Sequence, residues 1–130
     1  MREAQQTART TEGSGNAGKG RTGENRAAAA LEEAGIRIIA RNFRGPRGEI
    51  DLIALDGDTV VFIEVKSWSH YGFEDLQYAI DLKKQRRIIE TAKYFIASNR
   101  KYKGMALRFD ALFVEPEKIT HLASAFMECV

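Results

Sequence analysis

The stretch GEIDLIALDGDTVVFIEVKSW, Gly48–Trp68, decides the fold. Two aliphatic runs flank Asp-Gly-Asp-Thr, which is the pattern of a β-hairpin. Glu49, Asp51, Glu64 and Lys66 stand inside those runs. A charge there is costly unless it is paired or binds something. Strand side chains alternate between faces. Phe62, Glu64 and Lys66 therefore share one face, and Val61, Ile63 and Val65 the other. On the preceding strand Glu49, Asp51 and Ile53 fall together, opposite to Ile50, Leu52 and Ala54.

The turn length sets the register. A two-residue turn at Asp56-Gly57 puts Asp51 opposite Phe62 and Glu49 opposite Glu64. A four-residue loop, Asp56 to Thr59, puts Asp51 opposite Glu64 and Glu49 opposite Lys66. A three-residue loop would turn an apolar face outward and is disfavoured. Both admissible registers gather the four charges on one side. Three carboxylates and one lysine leave an excess of negative charge. Oxygen donors of this kind suit Mg²⁺ or Mn²⁺, which take one or two carboxylates and keep several waters. A lysine beside a metal-held water is a hydrolytic arrangement. A surface ion-pair ladder satisfies the same spacing.

Outward from the hairpin, RTGENRAAAALEEAG reads as a helix with Thr22 or Gly23 at its start and Gly35 at its end. Ala27, Ala28, Leu31 and Ala34 form its apolar stripe, and Glu24 lies along that stripe in the first turn. A glutamate there favours the positive end of the helix dipole, and it also aims a carboxylate inward. IRIIARNF is a strand and RGPRG a loop whose Arg44 and Arg47 could sit beside phosphates. SWSHYGFED is a loop and DLQYAI a short helix. Asp81 caps a longer helix, LKKQRRIIETAKYFIASN, with Ile88, Ile89, Ala92, Phe95 and Ile96 on its core side. MALRFDALFV is a further strand, EPEK a turn and ITHL a short strand. The sum is an α/β domain with a mixed central sheet flanked by helices.

The chain has 130 residues, 44% of them hydrophobic, which supports one domain with a true core. Residues 1–20 hold no large aliphatic side chain after Met1 and are expected to form a flexible tail, leaving 21–130 as the domain. No apolar run reaches the roughly 20 residues of a membrane span, so no membrane partner is expected. Nor is there the apolar core of a signal peptide. Cys129 is the only cysteine, in keeping with a reducing cytoplasm. Net charge is a modest +2, but Lys83 to Lys103 holds eight Lys or Arg against Glu90 alone. Such a run can track a nucleic-acid backbone or form a solvated helix face. His70 and His121 lack metal-ligand spacing, and Arg108 with Asp110 reads as a structural pair.

Asp51 followed by Glu64-Val65-Lys66 resembles the PD-(D/E)xK nuclease superfamily, which has a restriction-endonuclease-like fold. The ordered blocks GENRAAAALEEAG, ARNFRGPRGEIDLIA, VVFIEVKSW, KKQRRIIETAKYF, RFDALFV and HLASAF resemble an uncharacterised bacterial family, the YraN-like proteins. That family is similar to archaeal Holliday-junction resolvases. The resemblance implies Asp51 and Glu64 as metal ligands, aided by the Val65 backbone carbonyl, and Lys66 as the residue that positions the attacking water. It implies Glu24 as the helix carboxylate completing the site and Glu49 as a supporting residue. Lys84, Gln85 and Arg87 on the basic helix, with Arg44 and Arg47, are the expected nucleic-acid contacts. The implied activity is Mg²⁺- or Mn²⁺-dependent hydrolysis of DNA, ahead of RNA, with branched or single-strand-containing substrates in view. Junction resolution would need a homodimer, since it takes two sites. Ser67-Trp68 follows Lys66 where many relatives carry a basic residue, and no proline directly precedes Asp51. A nucleic-acid-binding module that keeps the fold with little or no catalysis is the alternative.

Overall fold

The computed structural model describes residues 15–67 and 80–127, with side chains from Thr22 onward. Helix α1 (Gly15–Glu33) leads into strands β1 (Arg37–Gly45), β2 (Gly48–Asp56) and β3 (Thr59–Ser67). Helix α2 (Leu82–Ser98) and a 3-10 turn (Arg100–Tyr102) precede strands β4 (Ala106–Val114) and β5 (Ile119–Phe126). The sheet order is β1-β2-β3-β4-β5. All neighbours are antiparallel except β3 and β4, which run parallel with α2 as their crossover. This is a mixed α/β architecture of the restriction-endonuclease-like kind. Among the described residues no helix is long and apolar enough to cross a membrane.

The two sheet faces are covered by one helix each. Ala27, Ala28 and Leu31 of α1 pack on Leu52, Ala54, Val61, Ile63, Leu112 and Val114. Ile88, Ala92 and Phe95 of α2 pack on Ile53, Val60, Phe62, Phe109, Ala111 and Phe113. The α2 layer is aromatic, with Phe95 edge-on to Phe43 at 5.0 Å and to Phe62 at 6.1 Å. Edge-to-face contacts of this sort add to the burial of the rings. Asp81 caps α2 as its sequence implies, accepting the Lys84 N–H at 2.8 Å.

Three local expectations change. The first helix begins at Gly15, inside the stretch expected as tail and ahead of Thr22. Gly15, Gly18 and Gly20 make these added turns the weakest part of the helix by propensity. RGPRG is not an open loop: Gly45 pairs with Gly48 and only Pro46 and Arg47 turn the chain. Ala34 is exposed and lies off the apolar stripe. The rest of the expected tail, the loop from Trp68, most of the segment DLQYAI and Cys129 lie outside the described residues.

The central hairpin takes the second of the two registers. Leu55 pairs with Val60 and Ile53 with Phe62, while Asp56 and Thr59 also pair and tighten the turn to Gly57-Asp58. Gly57 has a φ of +60°, the positive value that the first position of a tight hairpin turn demands. The ladder between β2 and β3 stops at Leu52–Ile63. Beyond it the first residues of β2 pair only with β1, and the last residues of β3 only with β4.

Candidate active site

Where β2 and β3 part, Asp51 and Glu64 come together. Asp51 Oδ2 accepts the Val65 backbone N–H at 2.8 Å, so a side chain takes over a strand amide as the ladder ends. Glu64 lies on the α2 side with Phe62 and is buried, only 7% exposed. Its Oε2 receives Lys84 Nζ at 2.8 Å and faces Lys66 Nζ at 3.6 Å. Lys66 reaches it from the same strand and Lys84 from the first turn of α2.

Alternation along β2 does not hold through this point. Ile50 packs in the α2-side core with Ile53, whereas Leu52 and Ala54 pack on the α1 side. Strict parity would have put Ile50 with Leu52. On the neighbouring strand Asn42 has a φ of +51°, a left-handed kink that asparagine tolerates better than most residues. Arg41, on one side of it, bonds Asn25 of α1 at 2.7 Å, while Phe43, on the other side, packs on α2. The sheet therefore changes face here, and Glu49 leaves the Asp51–Glu64 cluster to pair with Arg44 at 3.1 Å near solvent.

Glu24 comes in from α1. Gly23, just before it, is buried against the end of β3, and a Cβ there would overlap the Ser67 hydroxyl. This close approach draws the helix onto the strand that carries Glu64. Burial pushes the Glu24 carboxyl above its ordinary range, against a hydrogen bond from Asn42, with Glu49 and Glu64 adding repulsion. Asn42 is the residue that sequence reasoning missed; Gly23 was read only as a helix start, and the structure places it inside the helix, at this close approach. Asn42 sits within ARNFRGPRGEIDLIA, and the signal was an asparagine, tolerant of positive φ, inside an apolar strand.

The expected nucleic-acid residues are placed unevenly. Lys84 is in the cluster. Gln85 is beside it, donating to the Ile80 carbonyl at 2.9 Å. Arg47 pairs with Glu90 of α2 at 2.6 Å, and Arg87 lies exposed on α2 near Gly48. Among the described residues no group of three or more His, Cys, Asp or Glu side chains closes into a metal cage. The donor set is the Asp51–Glu64 pair with Glu24 farther back. One buried and one half-buried carboxylate fit a hard cation that takes few protein oxygens and keeps its waters.

Burial, then the Glu64 charge, pushes the Asp51 carboxyl up to about 7, against the Val65 hydrogen bond. Lys84 is desolvated as well, but the hydrogen bond and charge of Glu64 outweigh that and raise its pKa. Asp51 thus keeps a proton in the fold at pH values where the unfolded chain, near 3.8, has lost it. The stability this proton supplies is full below the unfolded value, falls as pH rises through the window, and is absent above about 7. Asp51→Asn keeps an acceptor for the Val65 amide and removes the charge. Thermal unfolding of the metal-free protein should show it melting above wild type at about pH 8, with the gap closing towards about pH 4.

The profile of the Uncharacterised protein family UPF0102 matches residues 23–114. The chain belongs to the UPF0102 family. That match spans α1 from Gly23 through all of β4 and so takes in every residue of the cluster. A UPF0102 protein of Treponema denticola is 43% identical over 124 residues, covering 85% of this chain and 95% of the relative. One from Persephonella marina is 42% identical, covering 83% and 92%. One from Treponema pallidum is 42% identical, covering 85% and 94%. UPF0102 is the YraN-like family of the sequence resemblance, uncharacterised and part of the nuclease-like superfamily. The relatives' names state no activity, so the chemistry rests on the site.

Proposed function

We propose that this UPF0102 protein is a divalent-metal-dependent nuclease that hydrolyses phosphodiester bonds in DNA. The Asp51–Glu64 pair, Glu64 buried and Asp51 half-buried, with two ammonium groups converging on Glu64 Oε2, carries this reading. Two carboxylates are not drawn together out of water for stability, since each loses hydration and repels the other. They suit a shared Mg²⁺ or Mn²⁺, with the Val65 carbonyl and Glu24 as further oxygens around its waters. Such an ion supplies polarisation of a phosphoryl oxygen and acidification of a bound water.

The protein's own part follows from placement. Asp51 is fixed by the Val65 amide and Glu64 by its strand and two lysines. Lys66, with its side chain 23% exposed, is poised to orient the attacking water through its ammonium. Glu49, paired with Arg44, adjusts the charge felt by Glu24. Arg44, Arg47, Gln85 and Arg87 lie on the β1–β2 hairpin and α2, where a backbone phosphate can replace Glu90 as the partner of Arg47. A second copy of the chain would supply the second site if the substrate is cut on two strands.

The test offers duplex, single-stranded, flap and four-way-junction DNA with Mg²⁺ or Mn²⁺. Wild type should cut at least one of them and Glu64→Gln none. Binding by both proteins without cutting would leave a nucleic-acid-binding module, and no binding by either would sink both readings.

A further inference from the structure

Lys84 stands where local electrostatics disfavour it. It is the third residue of α2, next to Lys83, and the first turn of that helix holds no acidic side chain. The N-terminus of a helix is its positive end, so two lysines there need a tertiary reason. Lys84 has one. Its ammonium is 2.8 Å from Glu64 Oε2, closer than Lys66 at 3.6 Å, and both address the same oxygen. Asp51 beside them bonds the Val65 amide.

The cluster of Asp51, Glu64, Lys66 and Lys84 is neutral by formal charge when both acids are ionised. A divalent cation held by these two carboxylates and Glu24 would leave one positive charge too many, and one ammonium becomes superfluous. Lys66 shares a strand with Glu64 and is largely enclosed, at 23% side-chain exposure. Lys84 comes from a different element and is 40% exposed. It is the one free to leave.

We propose that Lys84 is an exchangeable counter-ion: it holds Glu64 in the metal-free protein, yields that oxygen to the divalent cation, and turns its freed ammonium to a phosphate of the nucleic acid. This rests on the metal-site reading above and adds to it an order of events. The ion pair forbids a bare buried carboxylate before the metal arrives. It also couples metal entry to the appearance of a cation at the surface of the site, so each favours the other.

Mn²⁺ binding to the full chain, followed by the electron paramagnetic resonance of free Mn²⁺, tests it. Lys84→Met removes both the competitor for Glu64 and a nearby positive charge, so Mn²⁺ should bind roughly fivefold more tightly than to wild type. Lys84→Arg, which keeps the charge, should bind as wild type does. Thermal unfolding confirms that both variants are folded. If wild type binds Mn²⁺ and Lys84→Met binds it no more tightly, the counter-ion role is wrong and the metal site stands. If neither binds Mn²⁺, the metal site itself is wrong and the counter-ion role falls with it.

Discussion

Lys66→Met is expected to cut DNA about 10²- to 10⁴-fold more slowly than wild type, the usual contribution of a positioned acid–base group. Methionine keeps an apolar stem of similar length where Lys66 lies three-quarters enclosed, so folding should be preserved. Asp51 and Glu64 are untouched, and Lys84 still neutralises Glu64 at 2.8 Å. DNA affinity should therefore stay close to wild type, and metal affinity should not fall, since one ammonium near Glu64 is gone, while single-turnover cleavage collapses. Lys66→Arg should not rescue it, because a guanidinium presents a rigid fork in place of a compact point charge. Fluorescence anisotropy for binding and gel-resolved single turnovers for cleavage separate the two quantities. Equal loss of both would make Lys66 a binding residue.

Asp110→Ala carries the largest expected cost in stability. Asp110 is fully buried and accepts Arg108 Nε at 3.0 Å and the Ser124 N–H at 2.9 Å, with His121 Nε2 at 2.7 Å. Arg108 also holds Asp56 at the tip of the central hairpin, at 2.9 Å. The alanine would remove one of the two carboxylates that Arg108 holds and leave the Ser124 strand amide and His121 without theirs, a loss of about 3 kcal/mol. Thermal unfolding should fall by roughly 10 °C or more for a domain of this size. Burial pushes the Asp110 carboxyl up, but His121, Arg108 and Ser124 prevail and hold it below its ordinary value. Its contribution is thus full above the unfolded value of 3.8 and is lost as pH falls through the depressed one. Asp110 alternates with Leu112 and Val114 on the α1 side, whereas Glu64 is on the α2 side. The variant should therefore keep its metal affinity at low temperature. Wild-type stability would contradict the network.

The hairpin was legible because parity and turn length leave few registers, and the one observed is among the two that Gly48–Trp68 allows. The α2 stripe and its Asp81 cap were legible for the same reason: a period and a capping residue suffice. The Arg108–Asp110 pairing was read from two nearby opposite charges, but its extension to Asp56, Ser124 and His121 joins residues far apart in sequence. The change of face at Ile50 was not legible. It depends on a kink at Asn42 in the neighbouring strand, and alternation within one strand carries no record of that. Lys84 was legible as a basic residue near the site, but its contact with Glu64 requires the helix to be docked.

The parting of β2 and β3 has a mechanical meaning. Glu64 and Lys66 ride on a strand that stays stitched to β4 through Ser67, so their spacing is stiff. Asp51 rides on a stretch fastened only to β1, and a single side-chain bond to Val65 spans the gap. One carboxylate is clamped and the other sprung. The distance between the two carboxylates can thus change without unzipping a backbone ladder.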